Sequence, residues 1–446
     1  MKPFVLKPCG RLKGRVFPLG DKSISHRAVI CCALSPAKTV IRNFPFNQDC
    51  LSTVRAFKNL GVRIDVVGGI KALAGTLAIY GRGIFGLSKP GVPIMAGDSG
   101  TTYRILLGVL AGQKFTTRLL AGKGLSRRPM ARVTGPLRRM GAEIEATTKR
   151  RRKEIEEYPP VQIQGRPLRG MTYRIPVASA QVKSALLYAG LYATGCMRLI
   201  EPIKTRDHTE RMLKLFKADI RTHGNQVVLR GRKELVSPAA FYIPGDISSA
   251  AFFIVMAAIL PGSEIVVHKV SLNPSRMGVV RVLRRMRGRI RIKNQGVING
   301  AEPQGDIHVQ SSRLQGTTVE KEEIPALIDE LPVLMVAACY AQGRTIFQGV
   351  GELRVKETDR IRSMSENLSK MGASITVLTR KRREDIVIEG GRQLWGARVK
   401  SFSDHRTAMS LIAAGIAAKG TTTLDDISCI SKSFPHFINI LNSLVK

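Results

Sequence analysis

Acidic residues and aromatic rings are both scarce in this 446-residue chain. It has 33 Asp and Glu against 71 Lys and Arg, a formal net charge of +38, and aromatic side chains make up only 5% of it. This charge favours anionic partners of three kinds: nucleic acid, an acidic membrane surface or a phosphorylated metabolite. The scarcity of aromatics leaves the cores to Leu, Ile, Val, Ala and Met. It also weakens the nucleic-acid interpretation, since such binders usually interleave aromatic rings for base stacking.

Long hydrophobic runs and paired cysteine motifs are missing as well. The longest apolar run, residues 250–260, is about half a bilayer crossing at 1.5 Å per residue, so it predicts a core helix. The first twenty residues hold no apolar segment followed by a small-residue cleavage site, which argues against secretion. The seven cysteines show neither C-x-x-C nor metal-ligand spacing. We therefore expect a cytoplasmic protein with reduced cysteines, no metal site and no membrane association.

A sixfold internal repeat organises the chain. Each copy has a small polar cluster, an apolar helix, a residue that ends this helix and a short strand rich in β-branched residues. An amphipathic helix and a strand of alternating apolar and polar residues follow. The copies open with "DKSISHRAVICCAL", "DSGTTYRILLGVLAG", "SAQVKSALLYAGLYATG", "GDISSAAFFIVMAAILPG", "DELPVLMVAACYAQG" and "SDHRTAMSLIAAGIAAKG".

Six copies divide into two similar α/β domains of three repeats each. The apolar helices are expected inside, with amphipathic helices outside and sheets between or around them. Residues 231–246 lie between the third and fourth copies and predict the domain crossing. We expect one domain at residues 20–238 and a second made of residues 1–19 and 239–446.

Each apolar helix begins at its polar cluster, where unpaired N–H groups and the helix dipole favour an anion. Residues that suit helix N-caps stand at five starts: Ser23, Asp98, Ser179, Asp246 and Asp404. Cations stand in the first turns of three: Lys22 and Arg27, Lys183, and His405 with Arg406. Such cations oppose the dipole by up to about 1 kcal/mol each when exposed. A shared site for small polyanions, lined by N–H groups, Lys and Arg, would compensate for them.

Two acidic positions interrupt this basic lining. Asp329 and Glu330 stand at one helix start, and Glu357 lies between Lys356 and Arg360. Carboxylates beside cations are either ion-pair partners or acid/base catalysts. The densest basic run, residues 149–153, precedes "EIEEYPP" and predicts a solvated loop with its own counter-charges.

The motifs at these positions resemble the enolpyruvyl transferase family, in order and over nearly the whole chain. The resemblance implies a two-domain inside-out α/β barrel with three βαβαββ-type repeats per domain and an active site in the inter-domain cleft. It also implies transfer of the enolpyruvyl group of phosphoenolpyruvate to the 5-hydroxyl of shikimate 3-phosphate, with release of phosphate and no cofactor. The motifs are "LGDKSISHR", "GDSGTT", "SRRPM", "SAQVKSALL", "RVKETDRI" and "SDHRTAM".

The same resemblance implies roles for individual residues. Phosphoenolpyruvate would be held by Lys22, Arg128, Arg360, Arg406 and Lys432. Shikimate 3-phosphate would be held by Ser23, Arg27, Ser179, Gln181, Arg206 and Lys356, with Gln181 touching both substrates. Asp329 would take the 5-hydroxyl proton, and Glu357, with Lys22 as its rival, would protonate the methylene carbon. Gly100 would leave room for glyphosate, which predicts a sensitive enzyme.

Some positions depart from the family pattern. Ala180 takes the middle of a common Ser-Ser-Gln, Asp98 stands where Asn is frequent, and Arg206 in "TRDHTE" replaces a hydroxyl contact. Two alternatives stay open at this point. One is the sister enzyme whose acceptor is UDP-N-acetylglucosamine, although "GKGLSRRPM" lacks the Cys common there. The other is a basic, non-enzymatic nucleic-acid binder. We expect a monomer whose partners are the two small substrates.

Overall fold

The computed structural model describes residues 3–68, 74–151, 154–298, 301–380 and 383–446. Within them the chain forms twelve α-helices and twenty-three β-strands. The helices are α1 (Lys22–Ala33), α2 (Gln48–Asn59), α3 (Gly100–Ala111), α4 (Ala131–Arg139), α5 (Ala180–Gly190), α6 (His208–Leu215), α7 (Ile247–Ile259), α8 (Gly278–Arg285), α9 (Leu331–Tyr340), α10 (Arg360–Lys370), α11 (His405–Ala417) and α12 (Phe437–Leu444). The strands are β1 (Phe4–Leu6), β2 (Lys13–Val16), β3 (Lys38–Pro45), β4 (Arg63–Val67), β5 (Ala74–Tyr80), β6 (Ile94–Met95), β7 (Thr116–Leu120), β8 (Glu143–Arg151), β9 (Glu154–Gln164), β10 (Thr172–Arg174), β11 (Cys196–Ile200), β12 (Asp219–His223), β13 (Gln226–Arg230), β14 (Ala240–Tyr242), β15 (Glu264–Ser271), β16 (Arg289–Ile298), β17 (Glu302–Gln310), β18 (Thr318–Val319), β19 (Arg344–Phe347), β20 (Ser374–Arg380), β21 (Arg383–Glu389), β22 (Arg398–Val399) and β23 (Thr422–Leu424).

The odd-numbered helices are the predicted apolar helices, and they are buried on nearly every side. In α7, for example, all residues from Ile247 to Ala258 are buried. Burial of one Leu, Ile, Val, Phe or Met side chain contributes about 1.5–3 kcal/mol. Helix α3 packs against α5, and α9 packs against both α7 and α11. These helices therefore form the cores.

The even-numbered helices are amphipathic, as the sequence predicts. In α8, Val282 and Leu283 are buried while Arg281, Arg284 and Arg285 are exposed. An apolar stripe of this kind covers a core on one side and meets solvent on the other.

The strands form six small sheets with one recurring plan. Five sheets have four strands, in the orders β14-β3-β5-β4, β6-β7-β9-β8, β10-β11-β13-β12, β16-β17-β15-β2 and β18-β19-β21-β20, and the sixth is β1-β23-β22. In each, the strand that follows an apolar helix pairs in parallel with a short strand from another part of the chain, as β19 does with β18. An antiparallel hairpin such as β20–β21 completes the four-stranded sheets, whereas in the three-stranded sheet β1 pairs antiparallel with β23.

The chain separates into two compact units. The first unit is Gly20–Ile243 with Val297–Glu302, and the second unit is Met1–Leu19, Pro244–Gly296 and Pro303–Lys446. The division after Ile243 falls a few residues beyond the boundary expected at 238, because β14 pairs in parallel with β3 and so belongs to the first unit.

Residues 3–19 contribute two strands to the second unit. β1 pairs antiparallel with β23, so that Phe4 lies opposite Leu424. β2 pairs in parallel with β15, so that Val16 lies opposite Val267. The start of the chain thus completes two sheets whose other strands lie far along the sequence.

The predicted solvated loop at residues 149–153 is partly wrong. Residues 149–151 belong to β8, while Arg152 and Lys153 lie outside the described residues. The hairpin register puts Lys149 opposite Glu156, so this part of the run meets an expected counter-charge. Cross-strand pairs of opposite charge stabilise a hairpin, which explains why this polar run is extended.

Candidate active site

The three apolar helices of the first unit bring their N-terminal turns together. Arg27 on α1 donates from Nη2 to Ser184 Oγ on α5 at 2.7 Å. Arg104 on α3 donates from Nη1 to Gln181 Oε1 on α5 at 2.7 Å, and Gln181 Nε2 donates to Thr101 Oγ1 at 3.0 Å. One polar cluster therefore joins the starts of α1, α3 and α5.

Two of the expected caps in this unit are wrong by one or two positions. Asp21, not Ser23, caps α1 by accepting from Ile24 N, and Ser99, not Asp98, caps α3 by accepting from Thr102 N. Ser179 caps α5 as predicted. Asp98 accepts from the backbone N–H groups of Gly124 and Leu125. It thereby braces the loop that leads to Arg128.

Arg27 is the buried cation of this cluster. It is 3% exposed, and besides Ser184 it donates from Nε to Thr209 Oγ1 at 2.6 Å and from Nη1 to the Ser23 carbonyl at 2.8 Å. Lys22 is partly exposed and forms an ion pair with Asp49 at 2.9 Å. The first two turns of α1 therefore hold two cations, each oriented by a polar neighbour.

Gly100 lies against the guanidinium groups of two arginines. A Cβ atom at this position would come within 3.0 Å of Arg104 Nη1 and 3.0 Å of Arg128 Nη1. Arg104 Nη2 also donates to the Pro129 carbonyl at 3.0 Å, which fixes the backbone beside Arg128. A side chain at position 100 would therefore require these two guanidinium groups to move by a few tenths of an ångström.

His26 is buried beneath this cluster and uncharged. Its Nδ1 hydrogen-bonds Thr53 Oγ1 at 2.7 Å, and Thr53 contacts Thr102 Oγ1 at 2.7 Å. Burial lowers the pKa of His26 to about 3; Asp49 acts to raise it, and Lys22 lowers it further. The imidazole therefore links α1, α2 and α3 without adding charge.

We expect His26 to make the first unit less stable in mild acid. In the unfolded chain this imidazole takes up a proton near pH 6.5, whereas the folded protein keeps it neutral down to about pH 3. Stability is therefore lost as pH falls through 6.5, by about 1.4 kcal/mol per pH unit. Between about pH 7 and about pH 5, the difference in free energy of unfolding between wild type and His26→Gln should shrink by about 2 kcal/mol in denaturant titrations. The exposed His223→Gln should show no such change, and a constant difference for His26→Gln would contradict the prediction.

The second unit repeats the arrangement with α7, α9 and α11. Asp246 caps α7 and Asp404 caps α11, as predicted. Ser248 on α7 donates to Glu330 at the start of α9 and accepts from Arg276. Arg406 on α11 donates from Nη1 to the Asp329 carbonyl at 2.9 Å. Three helix starts again meet in one polar cluster.

Arg360 is the centre of this second cluster. Its side chain is 1% exposed, and it donates from Nε to Asp404 Oδ2 at 2.9 Å, from Nη1 to Asp329 Oδ1 at 3.3 Å and from Nη2 to Glu357 Oε2. Burial alone would lower the pKa of this guanidinium, but the carboxylates of Asp404, Glu357 and Asp329 raise it above its ordinary value. Arg360 therefore stays charged and holds the two candidate catalytic carboxylates, Asp329 and Glu357, on one side chain.

The remaining predicted residues lie around these two clusters. Ser23 is in the first turn of α1, Ala180 is the first residue of α5, and Arg206 is in the loop between β11 and α6. Lys356 follows the 3₁₀ turn Gly351–Val355, and Lys432 ends the turn Ser428–Lys432. The first unit thus holds Lys22, Ser23, Arg27, Gly100, Arg128, Ser179, Ala180, Gln181 and Arg206, and the second holds Asp329, Lys356, Glu357, Arg360, Arg406 and Lys432.

Sequence reasoning missed Arg104, Asp49 and Asp404 as partners of these residues. For Arg104 the repeat held the signal, because "DKSISHR" and "DSGTTYR" align so that Arg27 and Arg104 share one position. Asp49 gives no such signal, since it lies on α2 and meets Lys22 only through packing of α1 against α2.

Among the described residues, no group of His, Cys, Asp and Glu side chains has an arrangement suited to a metal ion. The described helices include none with the length and apolar character needed to span a bilayer.

Polar clusters of Arg and Lys at buried helix N-termini, with carboxylates held among them, define an enzyme that acts on small polyanions. The model of the EPSP synthase (3-phosphoshikimate 1-carboxyvinyltransferase) family matches residues 6–441. The chain belongs to this family.

Full-length relatives agree with the family match. The 3-phosphoshikimate 1-carboxyvinyltransferase of Syntrophomonas wolfei is 46% identical over 440 residues, which cover 98% of each chain. That of Geobacter metallireducens is 44% identical over 444 residues, covering 100% of this chain and 99% of the relative. A solved EPSP synthase structure from Acinetobacter baumannii matches with a TM-score of 0.85 and 39% identity, covering 100% of this chain and 98% of the other.

These similarities confirm the predicted family and the two-domain α/β fold class. The chain is an enzyme, a transferase of the shikimate pathway to aromatic amino acids. Neither alternative function, the UDP-N-acetylglucosamine enzyme or the nucleic-acid binder, is favoured.

Proposed function

We propose that the two clusters serve one reaction, in which phosphoenolpyruvate transfers its carboxyvinyl group to the 5-hydroxyl of shikimate 3-phosphate. In the first unit, Arg27, Arg206, Ser23, Ser179, Ala180 and Gln181 bind shikimate 3-phosphate, and Lys22 and Arg128 bind phosphoenolpyruvate. In the second unit, Arg360, Arg406 and Lys432 bind phosphoenolpyruvate and Lys356 binds shikimate 3-phosphate. Both substrates are polyanions, which suits the excess of cations at the helix starts.

One observation carries the assignment of the chemistry: Arg360 holds Asp329 and Glu357 together among cations. Two carboxylates on one buried guanidinium are fixed in position relative to each other, which acid/base steps at adjacent atoms require. Asp329 is oriented further by the contact of its Oδ1 with Arg406 Nε at 3.6 Å.

The steps follow from these positions. Asp329 takes the proton of the 5-hydroxyl while the hydroxyl oxygen attacks C2 of phosphoenolpyruvate. Glu357, in its carboxylic acid form, protonates the methylene carbon, with Lys22 as the rival donor. The product of this addition is a tetrahedral ketal whose negative charges are stabilised by the arginines. The Glu357 carboxylate, or Lys22 in its neutral form, then takes a proton from the new methyl group while the C–O bond to phosphate breaks. The enol ether forms, and the proton held by Asp329 leaves with the phosphate.

The reaction uses no redox step and stores no free carbanion, so this scheme involves protein side chains alone. We further propose that the enzyme works as a monomer in the cytoplasm.

Phosphate release tests the proposal directly. Mixed with phosphoenolpyruvate and shikimate 3-phosphate, the protein should release one phosphate per enol ether formed. The matched control acceptors are shikimate, which lacks the phosphate, and UDP-N-acetylglucosamine. Turnover with UDP-N-acetylglucosamine but not with shikimate 3-phosphate would refute the assignment.

Gly100 gives a prediction about inhibition. In Gly100→Ala the new Cβ would press on the Arg128 guanidinium, so the KM for phosphoenolpyruvate should rise about tenfold, equivalent to ~1.4 kcal/mol. Glyphosate should inhibit the wild type competitively with phosphoenolpyruvate. It should inhibit Gly100→Ala far less, because the methyl group takes space beside that guanidinium.

A second glycine provides the control. A Cβ on Gly135, inside α4, meets nothing within 4 Å. Gly135→Ala should leave both the KM for phosphoenolpyruvate and the glyphosate inhibition constant unchanged. A wild type that tolerates millimolar glyphosate, or equal inhibition of wild type and Gly100→Ala, would contradict the prediction.

A further inference from the structure

A buried charge triad lies behind the shikimate 3-phosphate side of the first unit. Lys183 on α5 is completely buried, and its Nζ pairs with Glu201 Oε2 at 3.0 Å and with Glu210 Oε1 at 2.6 Å. Glu201 directly follows β11, and Glu210 lies in the first turn of α6. Replacing a buried ion pair by apolar side chains of similar volume is often neutral or stabilising, so stability alone does not account for such a triad.

The triad contacts both ends of the loop that carries Arg206, which runs from the end of β11 to the start of α6. At the front end, Glu201 Oε1 accepts from Thr205 N at 3.1 Å and from the Thr205 hydroxyl, one residue before Arg206. At the far end, Glu210 holds the start of α6, which begins two residues after Arg206. Lys183 joins both ends to α5.

The triad is also adjacent to Arg27. Ser184, the neighbour of Lys183, and Thr209, the neighbour of Glu210, both accept from the Arg27 guanidinium, at 2.7 and 2.6 Å. The same two turns of α5 and α6 therefore hold Arg27 on one side and the triad on the other.

The net charge of the triad is opposite to that of the neighbouring arginines, which are expected to bind an anion. One Lys and two Glu side chains carry a net charge of −1 in their ionised forms. Burial lowers the pKa of Arg27, and nearby Arg206 lowers it further, whereas Glu210 acts to raise it. The negative charge of Glu210 thus opposes the repulsion that Arg206 exerts on Arg27.

We propose that Lys183, Glu201 and Glu210 are positioning residues that hold Arg206, beside Arg27, for the phosphate of shikimate 3-phosphate. The inference rests on the proposed role of Arg206. The triad acts on binding of this substrate alone and takes no part in the proton transfers.

Kinetics of three variants test this role. Lys183→Met removes the cation and leaves two buried carboxylates facing each other. Either the loop must then rearrange or one of the two carboxylates must take up a proton. The KM and the calorimetric Kd for shikimate 3-phosphate should rise about 10- to 100-fold, while kcat and the KM for phosphoenolpyruvate stay within about threefold. Lys183→Arg should restore most of the affinity. Thr205→Val, which removes only one hydroxyl, should raise the same KM about 3- to 10-fold.

Controls separate the possible failures. Thr194→Val removes a hydroxyl that donates to the Leu168 carbonyl, in the same unit but away from the Arg206 loop, and should change neither KM. Arg206→Met is the reference variant. If it leaves the KM for shikimate 3-phosphate unchanged, the assignment of Arg206 in the proposed function is wrong.

If Arg206→Met weakens binding but Lys183→Met and Thr205→Val stay within about twofold of wild type, the triad has no positioning role and the inference is overturned. Equal losses for both substrates would also overturn it, because they would indicate a general structural effect. Should Lys183→Met fail to fold by circular dichroism, Thr205→Val decides the matter.

Discussion

Asp329→Asn should lower kcat by about 10²- to 10⁴-fold, equivalent to ~2.7–5.4 kcal/mol of transition-state stabilisation. The amide keeps the size of the side chain, and its oxygen can still accept from Arg360 Nη1, as Asp329 Oδ1 does at 3.3 Å. It cannot take the proton of the 5-hydroxyl. The loss should therefore appear in turnover and not in the Kd for shikimate 3-phosphate, measured by calorimetry.

Glu366→Gln is the matched control for this substitution. Glu366 lies in the same unit on α10, where it is exposed and pairs with Arg362 four residues earlier. It should keep wild-type kcat, since exposed ion pairs of this type contribute only about 0.3–0.5 kcal/mol. An Asp329→Asn enzyme with near-wild-type kcat would show that Asp329 is an ion-pair partner and not the base.

Arg128→Gln should lower kcat/KM by about 10²- to 10³-fold, because two charge-assisted hydrogen bonds of about 1.5–3 kcal/mol each are replaced by weaker neutral ones. Both the KM for phosphoenolpyruvate and kcat should be affected, since the arginine binds a group whose charge changes during the reaction. Steady-state kinetics with each substrate varied in turn measures both effects.

The adjacent Arg127 offers a control of the same charge. It is exposed at the end of the short turn Leu125–Arg127, whereas Arg128 is half-buried against Gly100. Arg127→Gln should change kcat/KM by less than about twofold. Equal effects of the two substitutions would mean that overall charge, and not a placed guanidinium, governs binding of the substrate.

The repeat and the two classes of helix could be predicted from the sequence because they depend on short-range patterns. An unbroken apolar run such as Ala250–Ala258 predicts a helix that is buried on all sides. A helix with apolar residues along one face, such as α8, predicts contact with a core on that face alone. The polar clusters at the helix starts could be predicted as well, because Ser and Asp there suit N-caps and the added cations favour a site for anions.

The partners within the clusters could not be predicted in the same way. Lys22 meets Asp49 on another helix, and Arg360 meets Asp404 through the packing of α10 on α11. Such pairs depend on how elements pack, and no spacing in the sequence encodes them. The caps of α1 and α3 were misplaced because several polar residues in a row can each cap a helix, and only backbone geometry selects Asp21 and Ser99.

The pairing of β1 with β23 constrains how the polypeptide matures during its synthesis. The ribosome makes Phe4 long before its partner Leu424. Throughout this interval β1 has no partner strand, and an unpaired strand edge favours aggregation, whereas β2 can pair with β15 once residue 267 is made. The segment between Leu6 and Val16 carries Lys7, Arg11, Lys13 and Arg15, and like charges of this density keep nascent chains apart until the late strands arrive.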